Sequence, residues 1–273
     1  MPEDNITMVE KTEFQDFLRN TGSILIIGSG SLDCYPRPGC RDPLCQIARK
    51  GGKDKRLCAT SIFYKDCLID IGTGVWERLQ QRGLVPKGIA VSHTHFDHIA
   101  DLLYLPKISR EFPISASSLD YSLFNKIGIK ANYFQPNTSF SIGKLRFDSL
   151  VAVHTFTRPV SIFKFDNIVY APDLGEIDGS LLEWAKGTKI WLADGFSFED
   201  DFVLQGEKLH LSIEKQLLRL KNLKGLDMVL FLGIGHHSFY PHEDLEIYVK
   251  KFAIDNKLPF SVEIGFDWQI ITP

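Results

Sequence analysis

His93-Thr94-His95-Phe96-Asp97-His98 puts three imidazoles and a carboxylate into six consecutive residues of a chain that owns eight histidines in all. Upstream lies "KGIAVS", an apolar stretch that reads as a short buried strand; downstream lies "DHIADLLYL", whose apolar positions recur with helical spacing. The cluster therefore falls on a strand-to-helix loop. Residues two apart on extended backbone point the same way, so His93 and His95 can grip one ion together, while Asp97 and His98 fall where the helix begins and face elsewhere. The spacing predicts two neighbouring metal positions, one rich in nitrogen and one mixed nitrogen and oxygen, as borderline ions such as zinc accept.

The 273 residues, 44% of them hydrophobic, are enough for one large domain or two small ones. With no long linker, repeat or low-complexity segment, the economical reading is a single domain over residues 22–273. Residues 1–21 then form an N-terminal extension with a short helix. No apolar run reaches the roughly 18 residues of a membrane span, and the acidic, polar N-terminus is unlike a secretory signal. We therefore expect a cytoplasmic protein with no membrane partner. A net charge of −3 gives no basic footprint for nucleic acid, so a small molecule is the expected partner. A homodimer is the commonest assembly for such a chain. Five cysteines in this setting argue for metal binding or buried thiols over disulfides; Cys34, Cys40 and Cys45 share one loop, while Cys58 and Cys67 flank a strand and read as core.

Further strands are read at "SILIIG", "TSIFY", "CLIDI", "LRFDSLVAVHT" and "SIFKFDNIVYAPD", with Lys65-Asp66 and Asp166-Asn167 as tight turns. Thereafter helices "SLLEWAK", "SIEKQLLRLKN" and "HEDLEIYVKKFA" alternate with strands "KIWLAD" and "DMVLFLGIG", and "FSVEIGFDWQI" reads as a final hairpin. Hairpin strands followed by strand-helix alternation predict an α/β protein with two sheets between helices. Gly28-Ser29-Gly30 invites a dinucleotide reading, but Asp33 stands where the third glycine belongs and no helix follows at once. It is read as a turn.

The H-x-H-x-D-H form of residues 93–98 resembles the signature of the metallo-β-lactamase superfamily. Asp70 in "LIDIGTG", His154 in "VAVHT", Asp173 in "YAPD" and His210 in "LHLSIEKQL" follow in the order that superfamily requires. The resemblance implies an αββα sandwich. It also implies that His93, His95 and His154 bind a first metal, Asp97 and His98 a second, and that Asp173 bridges them, with Asp70 buried behind. Two divalent ions would lower the pKa of shared water towards roughly 7, giving hydroxide for hydrolysis. Zinc is the expected ion; manganese and iron also suit the donors.

"YPRPGCRDPLCQIAR" resembles the loop of PhnP-like phosphodiesterases, in which three cysteines and a distant histidine hold a structural zinc, and "VEIGFDWQI" resembles their C-terminal hairpin. Here Asp42 replaces the middle cysteine, so the implied site is Cys40, Asp42, Cys45 and His236. The "HLSIEKQL" segment resembles the place where phosphodiesterase members, tRNase Z among them, keep a histidine near the scissile phosphate. His210 thus becomes the candidate proton donor, and Asp97 counts as catalytic as well as metal-binding.

One departure bears on metal number: "FLGIGHH" puts Gly233 where relatives carry the histidine that completes the second site. An alternative alignment makes His236, followed by His237-Ser238, that ligand instead. His237 and His242 could equally be surface residues, and His242 stands like a capping neighbour of the last long helix. The activity implied is metal-dependent hydrolysis of a small phosphate ester, cyclic esters included. Its rival is a one-metal or repurposed site, as in PqqB-like oxidoreductases or a ligand-binding protein. Substrate choice is expected to lie with residues 107–138, whose Phe112, Tyr121, Phe124, Tyr133 and Phe134 either line a pocket or, for most of them, pack.

Overall fold

Period-two alternation in single strands builds separate cores on the two faces of each sheet. In β1 (Ile24–Gly28), Ile24 and Ile26 enter the core between the sheets, and Leu25 and Ile27 enter the core beneath the helices. The computed structural model describes residues 8–32, 34–104, 107–155, 158–204, 207–236 and 240–273. Asp33, His237 and Ser238 lie outside them.

The first sheet holds β1, β2 (Ser61–Tyr64), β3 (Cys67–Ile69), β4 (Gly88–Ala90), β5 (Ile114–Ser117) and β6 (Asn132–Phe134). The second begins with β7 (Ser139–Ile142), β8 (Leu145–Thr155), β9 (Arg158–Phe165), β10 (Ile168–Ala171) and β11 (Ile190–Asp194). A ribbon of β12 (Phe202–Leu204) and β13 (Glu207–His210) stands apart; β14 (Met228–Leu232) and β15 (Ser261–Ile264) complete the second sheet, and β16 (Ile270–Ile271) joins the first. Among the described residues each large sheet has seven strands.

Helix α1 (Met8–Thr21) packs on the outer face of the first sheet, and α2 (Pro43–Arg49) lies in the cysteine loop. The outer face is completed by α3 (Val75–Arg82), α4 (Phe96–Tyr104), α5 (Ile108–Glu111) and α6 (Tyr121–Lys126), through Val75, Leu79, Ile99, Leu102, Ile108 and Phe124. On the second sheet α7 (Gly179–Trp184), α8 (Ile213–Leu220) and α9 (His242–Asp255) bury Leu181, Ile213, Leu217, Leu245 and Val249 against Trp191, Val229 and Phe231. The result is the αββα sandwich. No described helix is long and apolar enough to cross a membrane.

The Lys65-Asp66 turn is a two-residue hairpin with both residues at positive φ (44° and 64°), the backbone that matches strand twist. It also anchors the N-terminal segment. Arg19 reaches Asp66 through Nε at 2.7 Å, Gln15 donates to the same carboxylate at 2.8 Å, and Leu18 is buried. Cys58 and Cys67 are buried as read, and all five cysteines are unpaired.

The expected C-terminal hairpin does not form. β15 pairs in parallel with β14 in the second sheet, while β16 pairs antiparallel with β1 in the first. Alternation identified both strands but carries no information on partner. The crossing is fixed by Asp267, which accepts from Ser29 N (2.9 Å) and Ser29 Oγ (2.8 Å) and pairs with Arg78 (2.8 Å), fastening the connection to the turn after β1.

Candidate metal centre

β4 ends at Ala90 and α4 begins at Phe96, so residues 93–95 sit on the predicted loop. The loop is pressed onto the "DIGTG" turn: a Cβ on Gly72 would stand 1.7 Å from Asp97 O, and Ile71 N donates to His98 O at 2.9 Å. Only glycine permits that approach. Asp70, fully buried and at φ 60°, accepts from Ser92 N, Ser92 Oγ and Tyr170 Oη, each at 2.7 Å, and meets His98 Nδ1 at 2.7 Å. With Nδ1 so engaged, His98 Nε2 turns to Asp173 Oδ2 at 3.4 Å and Asp97 Oδ2 at 3.9 Å.

His154, from β8, gives Nδ1 to Leu209 O (2.9 Å) and brings Nε2 to 3.0 Å from His95 Nδ1. Asp173 follows β10 at φ 50°; its Oδ2 lies 3.1 Å from His93 Nε2, 3.9 Å from His95 Nδ1 and 3.7 Å from His154 Nε2. Ligand atoms of His93, His95, His154 and Asp173 lie within 4.8 Å of one another, as do those of Asp97, His98 and Asp173. Three separate parts of the chain, residues 93–98, His154 and Asp173, thus converge in two adjoining groups that share Asp173.

These residues fit a metal ion. His93 Nε2 is buried without a hydrogen-bond partner despite facing Asp173, an orphan that a coordinated ion would satisfy. Burial pushes His93 and His154 below the usual imidazole range, keeping them neutral as ligands must be. At His98 the opposite happens: burial is outweighed by Asp70, Asp173 and Asp97, which raise it well above that range. The pocket is thus built to hold positive charge. Asp173 stays ionised because His98, His93 and His95 overcome its burial.

His210, at the end of β13, faces the same cleft. Its Nδ1 meets Asp194 Oδ2 at 2.7 Å, its ring stacks on Phe196 at 4.1 Å, and its pKa is pushed up to about 9, burial being outweighed first by Asp194. Asp194 also accepts from Leu174 N (3.0 Å) and Phe196 N (2.9 Å). Sequence reading missed Asp194. It ends β11 as Asp173 follows β10, in parallel neighbours with Ala171 opposite Ala193, so a carboxylate at each strand's C-terminal edge was the available signal.

Gly233, just after β14, has φ +74°, and a Cβ there would find only Thr60 Oγ1 at 3.6 Å and Asp194 Oδ1 at 4.0 Å. The missing ligand position is therefore open space on a backbone shaped for glycine. His236 is not at this centre. Its Nε2 lies 3.5 Å from Cys40 Sγ and 3.4 Å from Asp42 Oδ2, and Cys40, Cys45 and His236 form a second group within 4.8 Å. Asp42 Oδ2 is 3.2 Å from Cys40 Sγ, so a carboxylate stands beside that sulfur and the imidazole, while Asp42 itself falls outside the group of three. This places His236 with the cysteine loop and rules out its alternative alignment. Cys34 is apart, donating to Ser31 O. His242 begins α9 but is no surface residue: it is buried with Nδ1 3.0 Å from Arg56 Nη2, and burial lowers it to about 4.

The cleft over the centre, about 380 Å³, is lined by every one of these ligands except His93, and by His210 together with Ser31, Leu32, Thr60, Phe96, Phe196, Leu209 and Gly233. None of residues 107–138 lines it. Phe124 and Phe134 are buried, Phe112 packs on Trp76 and Tyr121 on Tyr133, so the packing reading describes them and the expectation that this stretch shapes the pocket is corrected.

Comparison with known proteins accords with this geometry. The family model for the beta-lactamase superfamily domain matches residues 65–231. No curated protein matches the chain. Among solved structures, a diphosphatase from the PhnP family superposes with TM-score 0.69 at 20% identity, covering 91% of this chain and 96% of its own. YhfI from Bacillus subtilis gives 0.67 at 17%, covering 91% and 98%; Zn(2+)-bound PqqB from Methylobacterium extorquens gives 0.69 at 15%, covering 91% and 99%. At such identities the likeness is one of fold, and it is the family match over more than half the chain, enclosing His93 to His210, that decides: the protein belongs to the beta-lactamase superfamily, a family of metal-dependent hydrolases.

Proposed function

We propose that the protein is a metal-dependent phosphodiesterase acting on a small phosphate ester, cyclic esters included. The observation that carries this reading is the His210–Asp194 pair beside the three imidazoles and Asp173, with the His210 ring 5.1 Å from that of His154. An ion held there, zinc by preference, would polarise a phosphoryl oxygen and lower the pKa of water towards about 7. The chain supplies the rest. Asp194 holds His210 through Nδ1, leaving Nε2 to carry the proton that the departing oxygen needs. Asp70 fixes the ring of His98, and Leu209 O fixes that of His154. Asp97, whose Oδ2 lies 3.9 Å from His98 Nε2, orients the attacking water. The likeness to a PhnP-family diphosphatase lends support at the level of fold. Cys40, Asp42, Cys45 and His236 would hold a second, structural zinc, and we expect a cytoplasmic enzyme whose partner is a small molecule, not nucleic acid. Metal-replete protein should hydrolyse bis(p-nitrophenyl) phosphate or one of a panel of cyclic nucleotides and cyclic sugar phosphates; silence across the whole panel would sink the proposal.

Gly233 favours a second reading, in which one ion sits at the His93, His95, His154 and Asp173 position and the site serves redox chemistry or ligand binding. Metal analysis separates the two. One redox-active iron per chain supports the second, and two catalytic ions support the first.

A further inference from the structure

We propose that the apolar lining of the cleft beside the metal ligands is a subsite for an uncharged, apolar arm of the substrate, aryl or short aliphatic, on an ester carrying at most one negative charge. The proposal rests on the reading of the cleft as a phosphoester site and names the class of ester. Leu32 and Phe96 line the mouth with 59% and 41% of their surface exposed, although both are apolar. Phe96 lies between His95 and Asp97, so the fold that positions the ligands also positions its ring at the rim. Phe196, another lining residue, stacks on His210 and meets Phe202 edge-on at 5.1 Å, which brings apolar surface up to the proton donor.

The charges point the same way. Among the described lining residues there is no lysine or arginine, whereas Asp97 and Asp173 face the cleft. Beyond the metal position and His210, a second phosphate or a carboxylate on the substrate would meet no lysine or arginine among the described lining residues and would be desolvated against carbon. The volume of about 380 Å³ has room for a small arm.

The test is calorimetric titration of the metal-loaded protein with methylphosphonate, butylphosphonate and phenylphosphonate. Phenylphosphonate should bind at least about tenfold more tightly than methylphosphonate, and Leu32→Ala, at an exposed position, should cut that ratio by about threefold or more. A ratio below about twofold, or one that Leu32→Ala leaves unchanged, overturns the proposal. Turnover is measured separately on p-nitrophenyl diesters whose other arm is methyl or phenyl, so that the leaving group stays constant. Phosphonate selectivity without any diester turnover keeps the subsite and removes the phosphodiesterase reading; turnover with no preference between arms, together with a flat phosphonate series, does the reverse.

Discussion

Asp194→Asn is the sharpest perturbation of this centre, because it changes one charge with almost no change in volume. The carboxylate uses both oxygens: Oδ1 accepts from Phe196 N, and Oδ2 accepts from Leu174 N and meets His210 Nδ1. An amide has one acceptor oxygen, so a buried backbone N–H loses its partner at a cost of about 1–3 kcal/mol in stability. The larger effect is on His210. Held at about 9, it is cationic at neutral pH; without the Asp194 charge, burial dominates and the pKa falls to or below its free value near 6.5. At pH 8 the protonated fraction then drops from most of the population to roughly 3%. The acid form exists below the pKa, so the alkaline limb of kcat should move to lower pH by about two units, while activity well below both limbs is largely kept. Occupancy of the neighbouring metal position lowers His210 in both proteins, so the difference between the two limbs is the readout. A folded, metal-replete variant whose alkaline limb coincides with the wild type would refute the reasoning.

Other outcomes follow from the same geometry. His210→Ala should slow alkyl esters by about 10²–10⁴ yet barely affect p-nitrophenyl esters, whose leaving group needs no proton; equal losses on both would remove His210 as acid. Cys40→Ser should release one metal equivalent and lower Tm by roughly 5 °C or more, with the His93 cluster still loaded by mass spectrometry, and unchanged stoichiometry would mean that the cysteine group holds no ion. Asp66 is lowered to about 2 because Arg19, Gln15 and Lys87 outweigh its burial. Its contribution is present above the free carboxyl range and lost as pH falls through about 2. Arg19→Ala should therefore cost about 1 kcal/mol at pH 7, a modest figure because Arg19 is itself largely exposed, and the deficit should shrink in acid denaturation curves below pH 4.

How much of this was legible beforehand depended on whether the determinants are local. His93, His95, Asp97 and His98 are neighbours in sequence, and strand-to-helix periodicity around them fixes their directions. Asp70, His154 and Asp173 gained meaning only from their order along a family pattern, since nothing local says that Asp70 will underlie His98. The C-terminal hairpin failed for the same reason. Val262 and Ile271 each announce a strand, but the choice of sheet is made by Asp267 on the turn after β1. Leu32 and Phe96 were silent because an exposed apolar residue is ordinary until a cleft is known to lie beside it.

The second sheet turns those partial signals into one question. β10, β11 and β14 are parallel neighbours, and the residues at or just beyond their C-terminal ends, Asp173, Asp194 and Gly233, together line one small cavity, with Asp173 and Gly233 also lining the cleft. Two of the three carry carboxylates; the third carries nothing, at φ +74°. Gly233→His asks whether that vacancy sets the metal number. The new side chain has room, with Thr60 Oγ1 at 3.6 Å from its Cβ, but the left-handed backbone costs about 1–2 kcal/mol. Gly233→Ala measures that strain alone. If the open position limits the second ion, the histidine variant should be destabilised as much as the alanine variant, yet bind a second equivalent at least tenfold more tightly in a competitive chelator titration. Equal affinity in both variants would mean that Asp97, His98 and Asp173 already define the second position fully, and that Gly233 serves to keep the wall beside Asp194 open to substrate.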